Sequence, residues 1–433
     1  MNNDFDAGER NHREILREAQ KRLMEFLREQ GVAPCQAFCV RGCPIHQDNK
    51  SWLYAFREGE IGRALDRLLV FNPLPASCSR ICGKFCEKEA DQFCGIGCLE
   101  KAEGFQGAIH LVEKYLGDWA RLHQYRKPRR APFQTKKVGV IGAGPSGLAC
   151  GYQLWHLGYS VAIFEKRDKP GGLLYFGISE ERLPKKVLFD EISLHLSGIE
   201  FKTQTEIDAQ GFIKLREAYD AILIATGLAA PRKLGIPGEN LPGVISSIDF
   251  LASMNLKTGP DIKKKKVVII GGGETAIEVA STVLNSGGSA KIIYRKGEEN
   301  LGFPKEEVQL FKNRGGEIDF YLSPKNIGAG VDGRLEITFE KTSRETSEVS
   351  VFLETADFIA PAVGQTSQLE FLPPEIRERV AKKDFEALES TGIFVAGDLA
   401  YGQKSVAQAI SSGNETAIKI QTFLKSGQYI KKI

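Results

Sequence analysis

One stretch of this chain occurs twice. Residues 136–167 (KKVGVIGAGPSGLACGYQLWHLGYSVAIFEKR) and 265–296 (KKVVIIGGGETAIEVASTVLNSGGSAKIIYRK) superpose without a gap at an offset of 129 residues. Each copy reads as a short apolar strand, a glycine-rich turn, a helix and a second strand. Such a turn at a strand end makes a nucleotide site, because glycine permits both the tight turn and the close approach of backbone to a pyrophosphate. The two copies commit the chain from Lys137 onward to a doubly wound α/β architecture with two Rossmann-like units.

In the first copy, Gly142 serves the turn, Gly144 the approach of the pyrophosphate and Gly147 the packing of helix on strand. Pro145 and Ser146 open the helix whose N-terminal amides face the phosphates. Glu165, 23 residues after Gly142 and followed by Lys166, ends the next strand, where its carboxylate can accept from both ribose hydroxyls. The second copy supplies Gly271, Gly273, Glu274 and Thr275, with alanine at the third glycine position. In place of Glu165 it has Tyr294, then Arg295 and Lys296, a change that suits the 2'-phosphate of NADPH. Glu298 and Glu299 follow at once and keep NADH as the alternative. Three further segments make the first nucleotide a flavin: Gly171-Gly172-Leu173, Ala225-Thr226-Gly227 and Gly397-Asp398. Their glycines admit backbone contact with FAD, Asp398 can accept a ribityl hydroxyl, and a helix starting near Ser405 points its N-terminal dipole at the flavin ring.

The cysteines are unevenly placed, with eight in the 64 residues from Cys35 to Cys98 and only Cys150 elsewhere. Their spacing is Cys35-x3-Cys39-x3-Cys43-Pro, Cys78-x3-Cys82-x3-Cys86 and Cys94-x3-Cys98. Eight thiolates can fill two 4Fe-4S sites. Zinc and disulfides are the alternatives; the lack of a secretory signal weighs against disulfides and points to the cytoplasm. Helical patterns over 10–30, over 58–69 and after Cys98 make this first region α-helical, and the Pro- and Arg-rich run 126–132 closes it. A balance of 58 basic against 55 acidic residues argues against nucleic acid as a partner, and no apolar stretch reaches membrane-spanning length. His46, His110, His123, His156 and His195 fit no ligand or triad spacing, and Cys150 reads as a packed helix residue.

Taken in order, FCVRGCP (38–44), ALDRLLVFNPLPASCSRIC (64–82), GAGPSGL, EKRDKPGGLLYFGI, RLPKK, IATG, GGGETAIE, YRK and IFVAGD resemble the flavoproteins related to the glutamate synthase small subunit. That group includes the amino-terminal half of dihydropyrimidine dehydrogenase and the large subunit of NADH-dependent ferredoxin:NADP oxidoreductase. The resemblance implies a helical iron–sulfur domain (1–130), a discontinuous FAD domain (136–248 and 358–433) and an inserted NAD(P)H domain (249–357). FAD would lie against Gly142, Gly144, Gly147, Glu165, Gly172, Leu173, Thr226, Gly227 and Asp398, and the second nucleotide against Gly271, Gly273, Glu274, Thr275, Arg295 and Lys296. The chain departs from its relatives in lacking an earlier C-x-x-C, in having Ala90 at a usual cysteine position and in adding Cys94 and Cys98. One cluster is expected on Cys43, Cys82 and Cys86 with Cys98 or Glu100, and the other on Cys35, Cys39, Cys78 and Cys94. The implied activity is hydride transfer between NAD(P)H and FAD, with single electrons passing through the clusters to or from a partner subunit or ferredoxin, in a complex that bifurcates electrons. The alternatives are the small subunit of NADPH-dependent glutamate synthase and a relay subunit without turnover of its own.

Overall fold

The structure, a computed structural model, describes residues 43–45, 47–82, 108–126, 131–330, 332–342, 349–402 and 405–426. It forms two compact units. The first draws its described residues from Met1–Gly171, Arg182–Gly227 and Leu369–Ile433; the second from Gly172–Glu181 and Leu228–Gln368. Cys35, Cys39, Cys86, Cys94, Cys98 and Glu100, and the 10–30 helix, lie outside the described residues.

The first unit begins with α1 (Asn49–Arg57), α2 (Ile61–Leu68), a helical run over 75–82 and α3 (Ala108–Leu122). Asp48 caps α1 by accepting from the Ser51 amide. Trp52, Phe56, Leu65, Leu68, Leu69 and Leu116 close a core between these helices, and Leu194 of the following α/β part completes it. That shared core explains why the helical region and the first α/β sheet form one unit.

The chain continues through β1 (Lys137–Ile141), α4 (Pro145–His156), β2 (Ser160–Phe164), α5 (Lys185–His195), β3 (Glu200–Lys202) and β4 (Ala221–Ile224). In the second unit follow α6 (Ser247–Asn255), β5 (Lys266–Ile270), α7 (Glu274–Asn285), β6 (Ser289–Tyr294), β7 (Glu317–Phe320), β8 (Leu322–Ala329), β9 (Leu335–Thr342), β10 (Val349–Ala356) and β11 (Phe358–Pro361). The first unit resumes with β12 (Ile393–Val395) and α8 (Val406–Ser426). Its sheet has the parallel order β12-β4-β1-β2-β3. The second unit repeats the plan with the parallel order β11-β5-β6-β7, beside an antiparallel sheet β10-β9-β8. β1 and β5, the strands that enter the two glycine turns, are central in their sheets and almost wholly buried, as parallel sheets covered on both faces require. The second unit also holds Ala230–Pro231 paired with Gln365–Thr366. No helix among the described residues is long and apolar enough to cross a membrane.

One ion network ties the second unit's sheets together. Lys291 of β6 reaches Glu354 at 2.8 Å and Asp319 at 2.9 Å, while Lys266 reaches Glu354 at 2.6 Å. Burial alone would lower the Lys291 ammonium, but its bonds to Glu354 and Asp319 outweigh burial and hold it above the usual lysine range. Burial would raise Glu354, and Lys266 and Lys291 hold it below its ordinary value instead. Lys291→Met is therefore expected to destabilise the protein by roughly 2–3 kcal/mol, less than a fully buried pair because Lys266 still faces Glu354. The depressed acid contributes above its unfolded value and loses that contribution as pH falls through its folded value; the raised lysine contributes below its unfolded value and loses it as pH rises. The difference between wild-type and variant denaturation midpoints should thus be flat from about pH 5 to about pH 10 and shrink outside that window.

Candidate nucleotide and iron–sulfur sites

Gly142 sits at φ +106°, where a side chain would meet the Ala225 carbonyl, and a Cβ at Gly147 would collide with the Gly142 carbonyl. Around Gly144 nothing lies within 4 Å of an added Cβ. Gly144 is also the N-cap of α4 and provides no side-chain cap, so first-turn amides remain available to an anion. Glu165 is buried, with Ala143 and Arg167 amides donating to its two oxygens at 3.0 and 2.9 Å. This fixes the carboxylate at the edge of the turn with lone pairs to spare. The Thr226 hydroxyl is buried and finds no partner among the described residues, as a group awaiting a ligand would.

Gly397 closes the same region at φ +71°, donating its amide to Ser412 of α8 at 2.8 Å. The first turn of α8 is held by a capping box: Gln408 donates its amide to the Ser405 hydroxyl and its side-chain oxygen accepts from the Ser405 amide. Between these elements lies a cavity of about 340 Å³ lined by Gly397, Asp398, Tyr401, Gln408 and Pro44. This is within the range of small-molecule sites. The buried carboxylate, the open glycine cradle and the unpartnered Thr226 hydroxyl fit FAD. Gly172 and Leu173 belong instead to the second unit, where Gly172 (φ +54°) starts a short helix and Asn255 donates to the Phe176 and Ile178 carbonyls.

The second glycine turn repeats the first. At Gly271 (φ +148°) a Cβ would strike the Ala362 carbonyl, Gly273 is open as Gly144 is, and Gly273 caps α7 without a side chain. Glu274 and Thr275 open that helix. Tyr294 lays its ring against Gly272 and donates its hydroxyl to the Asn300 carbonyl at 3.0 Å. Residues 298–302 fold back over the turn, with the Gly302 amide donating to Gly272. Arg295 and Lys296 are exposed, whereas the Glu299 carboxylate lies against Gly297 together with the Tyr321 hydroxyl. The open cradle, the helix N-terminus behind it and the two exposed cations fit a phosphorylated dinucleotide.

In the helical region Cys78 and Cys82 are buried with their sulfurs 3.5 Å apart, and Cys43 packs beside them against Ile45, Ala149 of α4, and Ala407 and Ile410 of α8. Burial and the nearby Glu113 push the Cys43 thiol up to about 11. A hydrogen bond with Cys82, then burial, raises Cys78. Glu113 of α3 is buried, accepts from Gln47 and Asn72, and is pushed up to about 7 by burial. Among the described residues no three His, Cys, Asp or Glu side chains stand close enough to hold a metal ion by themselves. Three clustered thiols in an apolar pocket nevertheless fit the sulfur side of an iron–sulfur site. Cys78 and Cys82, expected in different clusters, stand side by side because both lie on one helical turn of 75–82.

The pyridine nucleotide-disulphide oxidoreductase family matches residues 136–413, and the dihydropyrimidine dehydrogenase domain II, 4Fe-4S cluster family matches residues 9–125. The glutamate synthase [NADPH] small chain of Mycobacterium tuberculosis is 31% identical, covering 96% of this chain and 91% of its own. The chain belongs to the glutamate synthase small-subunit-like family of pyridine nucleotide-disulphide oxidoreductases. The NADP(+)-dependent formate dehydrogenase subunit beta of Moorella thermoacetica is 28% identical over 90% of this chain, which spans 60% of that subunit's length. In fold, Mycobacterium tuberculosis FprA in complex with NADPH superposes with a TM-score of 0.53 over 69% of this chain and 87% of that one, at 18% identity.

As a member of this family, the protein is an iron–sulfur flavoprotein oxidoreductase with an FAD/NADPH-binding oxidoreductase domain and a 4Fe-4S domain. Sequence reading missed Glu113. A carboxylate in the middle of an amphipathic helix reads as a solvated face, and only the fold brings it to Cys43 and Cys78. Cys150, fully buried on α4 and raised by burial, packs the helix. His195 is likewise a packed residue, its ring pushed down to about 4 by burial, then by His156 and Arg126.

Proposed function

We propose that this protein carries electrons from NADPH to a partner subunit, using FAD and two 4Fe-4S clusters in a single chain. The observation that carries the reading is Pro44. It lines the cavity beside Asp398, and the preceding residue, Cys43, packs with Cys78 and Cys82. A sulfur ligand thus stands one residue from the wall of the proposed flavin site. When bound, FAD supplies hydride acceptance from a reduced nicotinamide and release of electrons one at a time, and the clusters supply one-electron carriage. The chain's part is to hold the groups. Gly142, Gly144, Pro145, Ser146, Gly147, Glu165, Lys166, Thr226, Gly227, Gly397 and Asp398 form the FAD cradle. Gly271, Gly273, Glu274, Thr275, Arg295 and Lys296 hold the dinucleotide. Cys43, Cys78 and Cys82 supply sulfur ligands from one pocket, and Cys35, Cys39, Cys86, Cys94 and Cys98 complete the metal set.

Because Glu299 is turned toward Gly297 and Tyr321, Arg295 and Lys296 face a 2'-phosphate with less opposition. Arg295→Ala is expected to raise the Kd for NADPH about tenfold, about 1.4 kcal/mol, and leave that for NADH within about twofold. Equal losses for both nucleotides in a fluorescence titration would refute the assignment.

The partner separates two versions of this reading. Coverage of 91% of a glutamate synthase small chain, against 60% of a formate dehydrogenase subunit, favours an amidotransferase partner. Anaerobic purification from the native source, with identification of the co-purifying chains, decides. A glutamine amidotransferase supports the glutamate synthase version, and a ferredoxin-linked or dehydrogenase partner supports a bifurcating or relay complex. Isolated protein without iron and flavin would overturn both.

A further inference from the structure

We infer that Glu191, a residue of the α/β part, positions the iron–sulfur site by anchoring the helical run that carries Cys78 and Cys82. The inference deepens the proposed function and rests on its assignment of these cysteines to a cluster. Glu191 lies on α5 and is wholly buried. One carboxylate oxygen accepts from the Ala76 amide at 2.5 Å, and the other from the Ser77 amide at 2.8 Å and the Ser77 hydroxyl at 2.5 Å. The carboxylate therefore acts as a cap supplied from another element. It satisfies donors in the first turn of the run over 75–82, immediately before Cys78, that would otherwise be orphaned. Chain connectivity does not impose this contact, since 115 residues separate Glu191 from Ala76.

A second link fixes the same helix in direction. One guanidinium nitrogen of Arg80, between the two cysteines in sequence, donates to both Asp118 oxygens at 2.9 and 2.8 Å. Arg121 bonds Asp118 at 2.9 Å and Asp190, the neighbour of Glu191, at 2.8 Å. The helix is thus held at its start by Glu191 and along its side through Arg80, both contacts leading back to α5. Where α3 crosses, a Cβ on Gly117 would collide with the backbone of Ala76, so the run cannot slide toward α3 to make up for a lost anchor. Removing the carboxylate leaves buried amides unpaired and frees the first turn to rotate, moving the Cys78 and Cys82 sulfurs together.

The test compares anaerobically purified full-length wild type, Glu191→Leu and Glu191→Gln for iron per FAD, the EPR spectrum after dithionite reduction and the midpoint potential of each cluster. Glu191→Leu is expected to keep FAD and lose the signal of one cluster with about half of the iron. Glu191→Gln, which keeps one acceptor oxygen and the side-chain shape, should restore the iron while shifting the g-values and midpoint of that same cluster. Wild-type EPR and midpoints in both variants would overturn the inference, as would loss of FAD and iron together in Glu191→Gln. Should Glu191→Leu be insoluble, Glu191→Gln decides alone: a shifted spectrum supports the inference and an unchanged one refutes it. Wild type lacking iron would instead remove the cluster assignment itself, a failure visible before any variant is made.

Discussion

Anaerobically purified Cys82→Ser protein is expected to keep its FAD and still bleach with NADPH, yet lose one cluster and reduce one-electron acceptors at least about tenfold more slowly. Cys82 is buried beside Cys78, and the pocket that holds them is otherwise built from Ile45, Ala149, Ala407 and Ile410. Serine keeps the volume but removes the soft donor on which iron depends. Because the nucleotide turns draw nothing from this pocket, the flavin half of the chemistry should survive. Iron analysis, EPR and stopped-flow bleaching on one sample measure both halves. Cys150→Ser is the control, since its thiol is fully buried on α4 and is not among the described thiols that share the Cys43, Cys78 and Cys82 pocket. Loss of FAD in Cys82→Ser, or unchanged iron, would contradict the assignment.

Gly147→Val should release the flavin. Even a single carbon at this position meets the Gly142 carbonyl, so the turn and helix α4 must separate and the amides lose their aim. The Kd for FAD is expected to rise at least about tenfold, which equals about 1.4 kcal/mol of binding, and the purified protein to carry less FAD. The second unit offers the matched comparison. There Ala276 occupies the third position, buried and accommodated. Ala276→Gly should therefore leave FAD content unchanged. A yellow Gly147→Val protein with full FAD would mean that the first turn is not the flavin cradle.

The parts of this molecule legible in sequence are those in which neighbours along the chain act together. Gly142, Gly144 and Gly147 lie within six residues, and the strand before and helix after them are short-range patterns, so the whole unit is visible locally and doubly so when it recurs at Gly271. Glu165 follows because one βα step fixes its distance from the turn. Glu113 and Glu191 were not legible for the opposite reason. Their partners, Asn72 and Ala76, are 41 and 115 residues away, and a glutamate in a helix says nothing of what packs over it. The GGLLYFGI segment continues from the first α/β sheet in sequence, but Asn255 and Glu278 hold its backbone, so Gly172–Glu181 belongs with the second unit.

The core that closes over Leu194 has a consequence for how such a protein can be taken apart. An iron–sulfur module joined by a Pro- and Arg-rich run looks like a cartridge that could be clipped off at 126–132 or exchanged for that of a relative. Here the seam does not follow the linker. A cut there would strip Glu191 of its donors, expose Leu194 and open the hydrogen bonds by which Gln153 and Asn414 hold the carbonyls of Val70 and Phe71. The helical part and the flavin-side sheet behave as one casting, so exchange of redox modules within this fold has to carry the outer faces of α4, α5 and α8 along with the cysteines.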